Sequence, residues 1–295
     1  MKTKTFRKLS PLFLGLSLAS TSAFAGELTY FKSEVKWNGY EEGYQKVEGT
    51  VALGSYKIND TFKFNFDVDR DYVVHTSESA AKEGWDTSFT LSQKAGKVAN
   101  ADLQLNYKIN YDQSQEVHND ANSTYSVAYI GQAILDFDLD SDYYFSVEFW
   151  AQGGVTDGGD LQDDSGAETN FYFGGDISDN WSFDLAWYDF YYYNENEEYK
   201  LQLGTENYLN YSLPLTDNFS FMVESYFEAY YMFGTEAKQL YSHIKPILKY
   251  QTKVGEKYSV HATIGFDAVK FTKLSGSDAE LNEDNELEVA VGFSF

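Results

Sequence analysis

Aromatic rings and carboxylates are the side chains of this sequence whose types and spacing could do chemistry. In residues 181–193, WSFDLAWYDFYYY, rings occupy neighbouring positions, so a strand here would carry rings on both of its faces. A ring offers a flat apolar face and, in tyrosine, a polar tip that suits the hydroxyl edge of a sugar, while a carboxylate attracts cations. Rings and carboxylates on one face therefore predict contact with sugars or with cations.

Histidine could add acid–base chemistry, but its positions argue against an enzyme. His75 and His118 fall in predicted loops, and neither His243 nor His261 has an obvious serine partner that it could activate. No phosphate-binding loop, HExxH or GxSxG motif occurs in the chain. We therefore expect no catalytic residue and no enzyme activity.

Two acidic stretches contain the oxygen ligands that calcium prefers. They are DLDSDY at 138–143 and DGGDLQDDSG at 157–166, and neither has the spacing of a calcium-binding loop. We expect no cofactor and no dedicated metal site. Loose binding of divalent cations to acidic loops could bridge the protein to lipopolysaccharide.

The elements that must position these side chains are segments in which apolar and polar residues alternate. The last residues, NELEVAVGFSF, place on one face Leu287, Val289, Val291, Phe293 and Phe295. The same period of two recurs at 61–68, 103–111, 219–231 and 258–269. Alternation over about ten residues is typical of strands in a transmembrane barrel, with apolar side chains towards lipid and polar side chains towards the lumen.

About fourteen such segments are predicted, with about 12 or 16 as the alternatives. Their approximate ranges are 27–37, 45–56, 61–73, 85–94, 102–111, 123–137, 143–152, 168–177, 181–193, 199–213, 219–232, 239–252, 258–272 and 285–295. Short turns alternate with longer acidic connections, as periplasmic turns alternate with external loops in outer-membrane barrels. The predicted fold class is all-β: a transmembrane antiparallel β-barrel with both termini on the periplasmic side.

The N-terminus has the features of a secretory signal. Basic residues up to Lys8 precede an apolar run from Leu9 to Leu18, and Ala23-Phe24-Ala25 matches the A-x-A cleavage pattern. We expect residues 1–25 to be a cleaved signal peptide and residues 26–295 to be a single barrel domain in the bacterial outer membrane.

The net charge excludes one class of partner. The chain has a formal charge of −24 at pH 7, and Arg70 is the only arginine beyond the predicted signal peptide. Such an acidic chain repels nucleic acid, so we expect no nucleic-acid partner. No cysteine occurs, which excludes disulfides and thiol chemistry.

The predicted inner face of the barrel carries charges and rings. The candidate pore-lining residues are Glu148, Trp150, Asp184, Tyr188, Tyr192, Glu206, Tyr208, Glu224, Tyr226, Glu228, His243, Lys245, Lys249, His261 and Asp267. The charged residues predicted to face inwards include more acid than base, which favours cations in a channel. The rings make neutral or cationic oligosaccharides candidate solutes, whereas a register slip of one residue would turn these rings towards lipid.

Several positions depart from the simple pattern. Pro246 lies in mid-strand, where proline in a closed barrel indicates a bulge. Asp189 would face lipid just below the outer edge, unless a bulge shifts the register. His243 and His261 are predicted opposite Asp267 and Lys249, too far apart to titrate as a pair, and either could make conduction depend on pH near neutrality.

The strand number, strand length, loop alternation and Phe-terminated last strand resemble the monomeric fourteen-stranded porins typified by outer-membrane protein G. Val291, Phe293 and Phe295 also resemble the C-terminal signal that outer-membrane barrels present to the barrel-assembly machinery. The resemblance implies a monomer that passes small solutes and oligosaccharides and contacts outer-membrane lipids and lipopolysaccharide. The related oligogalacturonate porins have fewer strands and a basic lumen, from which this acid-rich chain departs.

Three classes of protein fit these features. The one that we predict is a porin with a water-filled, acid-lined channel for passive diffusion of small hydrophilic solutes. A structural or adhesive outer-membrane barrel without an open pore is the second, and its interior would not need so many charges. A soluble secreted carbohydrate-binding β-protein is the third.

Overall fold

The computed structural model describes residues 26–40, 44–75, 82–116, 119–140, 142–156, 165–193, 199–233, 237–274, 280–282 and 286–295. The strands are β1 Glu27–Tyr40, β2 Tyr44–Lys57, β3 Phe62–His75, β4 Lys82–Val98, β5 Ala101–Glu116, β6 Asn119–Asp140, β7 Tyr143–Thr156, β8 Ser165–Ser178, β9 Trp181–Tyr193, β10 Tyr199–Pro214, β11 Phe219–Met232, β12 Ala237–Val254, β13 Tyr258–Phe266, β14 Val269–Leu274, β15 Glu280–Asn282 and β16 Glu286–Ser294. No helix among the described residues is long and apolar enough to cross a bilayer.

These strands form one closed antiparallel ring. Neighbours in the chain pair from β1 to β13, and β16 closes the ring by pairing with both β13 and β1. β13 and β14 pair with successive parts of β12, so these two segments together are one interrupted strand. On their other side, β16 pairs with β13 and β15 pairs with β14, so β15 and β16 together are a second interrupted strand. The ring therefore has fourteen positions, which confirms the predicted fold and count over the alternatives of 12 and 16.

Short turns join the strands at one rim, where Glu27 and Phe295 also lie. In the first turn the Asn59 side chain accepts the N–H groups of Thr61 and Phe62 at 2.8 and 2.9 Å. Lys57 Nζ lies 2.6 Å from Asp60 Oδ1, and this contact holds the pKa of that exposed carboxyl below its usual value. The connection between the predicted strands 85–94 and 102–111 is mostly strand, because β4 continues to Val98 and β5 begins at Ala101.

The opposite rim carries the longer connections. The predicted loop position of His75 is wrong, because His75 is the last residue of β3. His118, the acidic segment 157–164 and the predicted signal peptide, residues 1–25, lie outside the described residues. The strands are longer at this rim than the sequence predicts, with β6 reaching 22 residues. A bilayer-crossing strand needs about 9–11 residues, so a strand of the length of β6 is long enough to extend beyond a bilayer.

The outer face of the ring is apolar and exposed. Val35, Tyr129 and Val291 are 57%, 59% and 55% exposed, although their side chains are large and apolar. Near the short-turn rim, rings form a belt in which Trp181 contacts Tyr211 at 4.8 Å and Phe219 contacts Tyr250 at 4.9 Å between ring centroids. Ring belts at the edges of an apolar band are typical of barrels that cross a membrane.

The predicted bulge at Pro246 lies in the neighbouring strand instead of in β12. Pro246 pairs with Val223 without a register shift in β11. On the other side of β12, Ile247 pairs with Gly265 and the next pair is Ile244 with Val269. The segment opposite β12 therefore has one extra residue between these two pairs. Proline has no N–H to donate, so we attribute the break in pairing to this missing hydrogen bond of the ladder. The extra residue lies in the segment around Asp267 and Ala268.

Asp189 lies on the outer face without any bulge. Its register with Thr169 and Leu203 is continuous, and the neighbouring outward rings Trp187 and Tyr191 are exposed. The Asp189 carboxylate accepts the backbone N–H of Thr169 at 2.9 Å. This hydrogen bond satisfies part of a polar group that would otherwise be costly on an apolar surface.

Candidate functional site

The inner face of the ring is identified by contacts that pass over an intervening strand. His261 on β13 lies 2.6 Å from Glu34 on β1, although β16 runs between these strands. Tyr144 on β7 likewise donates a hydrogen bond to Asp184 on β9, across β8. Side chains two strands apart meet in this way only on the concave side, so these residues and those that alternate with them define the inner wall.

Missing side chains on the intervening strands make both contacts possible. A Cβ atom at Gly292 would lie 2.7 Å from His261 Cε1, and one at Gly174 would lie 2.6 Å from both the Asp184 Oδ1 atom and the Tyr144 hydroxyl. Gly292 pairs with Glu34 on one side and with His261 on the other. The two glycines therefore let long side chains lie along the wall.

One region of the inner wall is a continuous ladder of ion pairs. The ladder residues, in order around the wall, are Asp71, Lys46, Glu48, Lys36, Glu288, Lys245 and Asp267. Lys36 Nζ and Lys245 Nζ each lie 3.1 Å from Glu288 Oε2, so Glu288 joins β1 to β12 across β16 and β13. The ladder crosses the β1–β16 pair, which we call the closing seam.

A second region, the inner face of β7–β11 apart from Glu224, combines rings with carboxylates that form no ion pair with a described basic side chain. We call it the acidic ring wall. Trp150 contacts Phe190 with ring centroids 5.1 Å apart, and Tyr208 contacts Tyr226 at 4.7 Å. Among the side chains that the structure describes, no lysine, arginine or histidine forms an ion pair with the following carboxylates of this wall: Glu148, Glu168, Asp184, Glu206 and Glu228. Its carboxylates instead meet amides, hydroxyls and one another.

The structure places the candidate pore-lining residues on this inner face in two groups. The acidic ring wall contains Glu148, Trp150, Asp184, Tyr188, Glu206, Tyr208, Tyr226 and Glu228. The ladder region or its border contains Glu224, His243, Lys245, Lys249, His261 and Asp267. The Tyr192 backbone continues the alternation of β9, but its side chain lies outside the described part of the chain.

The predicted partners of the two histidines are wrong. His261 pairs with Gln251 instead of Lys249, and His243 pairs with Lys270 instead of Asp267. The turn at Gly255–Lys257 sets the first register two residues away from the prediction, and the extra residue near Asp267 shifts the second. His243 and Gln251 are eight positions apart on β12, which separates the histidines by about 26 Å along the strand. His243 Nε2 instead lies 3.2 Å from Glu224 Oε1.

Some inner-wall charges did not appear among the candidates. Lys32, Glu34, Lys36 and Lys46 follow the alternation of β1 and β2, so the pattern that found the other strands could have found them. A further row of carboxylates crosses three strands, since Asp86 pairs with both Asp69 and Asp112. Within the described ranges, no group of three or more histidine, aspartate or glutamate side chains is arranged to hold a metal ion.

Comparison with known proteins supports the fold. No protein family and no curated protein matches the sequence. Among solved structures, the monoaromatic hydrocarbon channel CymD shares 7% identity over 97% of this chain and 92% of its own, with a TM-score of 0.50. A deletion mutant of the TodX monoaromatic hydrocarbon channel shares 6% over 93% and 91%, with a TM-score of 0.48. The KdgM porin shares 11% over 90% and 99%, with a TM-score of 0.36. At 7% identity, the similarity to CymD concerns the barrel fold alone. The TM-scores of the other two structures are too low to support a conclusion about this chain.

Proposed function

We propose that this chain is an outer-membrane porin through which small hydrophilic solutes diffuse passively. The observation that carries the proposal is a closed ring whose outer face is apolar and whose inner face is charged almost all the way round. Charged side chains are costly to bury without water or partners. The uncompensated carboxylates of the acidic ring wall are therefore best explained by a water-filled interior, and we propose no catalytic role for any residue.

The outer surface and the closed sheet support a monomer in a membrane. Each described strand finds its partners within the chain, so no second copy is needed to cover an edge. Exposed rings and aliphatic side chains on the outer face suit contact with outer-membrane lipids and lipopolysaccharide. Membership of the outer-membrane protein G family and export by a cleaved signal peptide remain predictions.

The C-terminal residues are proposed to be the assembly signal. Val291 lies on the outer face of β16, and Phe293 and Phe295 share its side of the strand. Their rings lie 5.7 and 5.8 Å from that of Phe31. Since this strand closes the ring against β1, a signal here would mark the strand whose pairing completes the barrel.

Single-channel recording of the refolded full chain in a planar bilayer tests the proposed function. A porin gives stable current steps in potassium chloride, with cations favoured over anions because the inner wall is acidic. A folded barrel that never conducts would instead support the structural or adhesive alternative. Outer-membrane fractionation with heat-modifiable gel migration separates both barrels from a soluble secreted protein, which shows neither property.

Solute preference requires a separate measurement. The rings of the acidic ring wall support neutral or cationic oligosaccharides as solutes, because sugars stack on rings and acidic sugars would meet like charge. Liposome swelling with size-matched neutral and acidic sugars tests this preference. Equal swelling rates for the two sets would remove it while leaving the porin intact.

A further inference from the structure

We propose that Glu206 and Glu228 form a binding site for small organic cations, such as quaternary ammonium ions, within the acidic ring wall. The proposal rests on the porin function proposed above and names a class of solute for it. The site lies on β10 and β11, in the described part of the inner wall.

The two carboxylates face each other directly. Glu206 pairs with Glu228 in the β10–β11 register, on the same inner face. Directly opposed side chains have Cβ atoms about 4.5–5.5 Å apart, and like charges at this distance repel each other. Among the described side chains, no base forms an ion pair with either glutamate. A bound cation between them would relieve this repulsion.

A frame of tyrosines surrounds the two carboxylates, and we call it the tyrosine frame. Its members are Tyr188, Tyr208, Tyr226, Tyr230 and Tyr241. Tyr208 and Tyr226 are the inner-face neighbours of the two glutamates along their strands, and Tyr230 lies on the other side of Glu228. Tyr241 pairs directly with Glu228, and its ring centroid lies 5.8 Å from that of Tyr226.

Absence of a side chain at Gly204 lets a further ring lie next to the pair. A Cβ atom at Gly204 would lie 2.2 Å from Tyr188 Cζ, so the Tyr188 ring covers this position beside Glu206. The Gln202 amide donates to the Tyr188 hydroxyl at 3.3 Å, and the Tyr226 hydroxyl donates to Glu228 Oε2 at 3.1 Å. These hydrogen bonds hold two rings of the frame in place.

Rings and carboxylates together select a soft, weakly hydrated cation. A cation within about 6 Å of a ring centroid is attracted by the electron-rich ring face, and aromatic cages of this type recognise quaternary ammonium groups. A metal ion would instead need several oxygen ligands converging on it, and no group of three or more such residues is so arranged within the described chain. The methyl groups of an ammonium ion would also cover ring surface.

The test uses tetramethylammonium chloride with the full-length folded protein. In planar bilayers we expect tetramethylammonium to interrupt the potassium chloride current of the wild type in a concentration-dependent way. In the Glu206→Gln, Glu228→Gln double variant, the apparent affinity should fall by about tenfold or more, because the charge that holds the cation is lost. Tyr208→Leu with Tyr226→Leu should weaken binding similarly, whereas Tyr208→Phe with Tyr226→Phe should retain it.

A matched control separates this site from general attraction to an acidic lumen. Asp69→Asn with Asp112→Asn removes two carboxylates from the β3–β5 row, whose inward neighbours include no ring, and should change the affinity by less than about twofold. An equal loss in this control would overturn the proposal. So would binding that survives the two glutamate changes.

A second measurement keeps the inference separate from the porin function. Isothermal titration of tetramethylammonium into the detergent-solubilised barrel reports binding without any current. A barrel that binds the cation but does not conduct potassium chloride would contradict the porin function alone. A conducting barrel without heat of binding, or one that binds a neutral disaccharide instead, would contradict the cation site alone.

Discussion

The ladder region and the acidic ring wall line the same lumen, but carboxylates are paired with bases in the ladder region and with no base in the acidic ring wall, as far as the described side chains show. Around the closing seam, Lys36 and Lys245 join carboxylates from several strands, and the Lys245 and Glu288 side chains are only 12% and 16% exposed. Across β7–β11, Glu206 and Glu228 face each other instead of a base. The difference indicates that the ladder holds the wall together, while the acidic ring wall leaves its charge available to solutes.

The largest expected effect comes from breaking the ladder at Lys245. Lys245→Met would leave Glu288 and Asp267 without this cation, and we expect a loss of about 3 kcal/mol in the free energy of unfolding, as for other poorly exposed pairs. Urea unfolding of the refolded barrel in lipid vesicles measures it. Lys245→Met combined with Glu288→Gln should recover part of the loss. An unchanged free energy of unfolding in Lys245→Met would show that the ladder does not stabilise the wall.

A smaller effect is expected where the wall lacks a side chain. Gly292→Ala would place a Cβ atom 2.6 Å from the Ser33 carbonyl oxygen and 2.8 Å from His261 Nε2, so the His261–Glu34 contact must shift. We expect a cost of about 1–3 kcal/mol in the free energy of unfolding, as for other overpacked sites.

Gly131→Ala is the matched control for this close approach. Gly131 also lies in a strand, but a Cβ atom there would meet nothing within 4 Å. We expect a change within about 0.5 kcal/mol under the same urea titration. Equal losses in the two variants would mean that strand glycines matter here through the backbone, and that the contact across Gly292 is incidental.

The alternation of the sequence predicts the ring itself well, and the reason is physical. A strand in a barrel has one face towards lipid and the other towards water. The alternation of residues 62–68 and 287–295 therefore predicts both the strand and which of its faces points inwards. The inward direction of Asp184, Glu206 and Tyr226 follows from the same pattern. The residue that lies opposite each of them on a neighbouring strand cannot be predicted from alternation, because it depends on the register between the strands.

Register depends on details that alternation does not carry. The three-residue turn after Val254 and the extra residue near Asp267 moved both histidines away from their predicted partners. The ladder also escaped prediction, because it joins residues as distant in the chain as Lys36 and Glu288. Alternation places Gly292 on one face of β16 but does not predict that its missing side chain makes the contact between His261 and Glu34 possible.

The acidic ring wall should respond to charge removal in the direction opposite to the ladder. Glu206→Gln removes one of two opposed like charges, so we expect the free energy of unfolding to rise by about 0.2–1 kcal/mol. Glu48→Gln in the ladder should lower it, because Lys36 and Lys46 each lose a partner. Paired urea titrations measure both. If both changes shift stability in the same direction, the two regions do not differ in how they compensate charge.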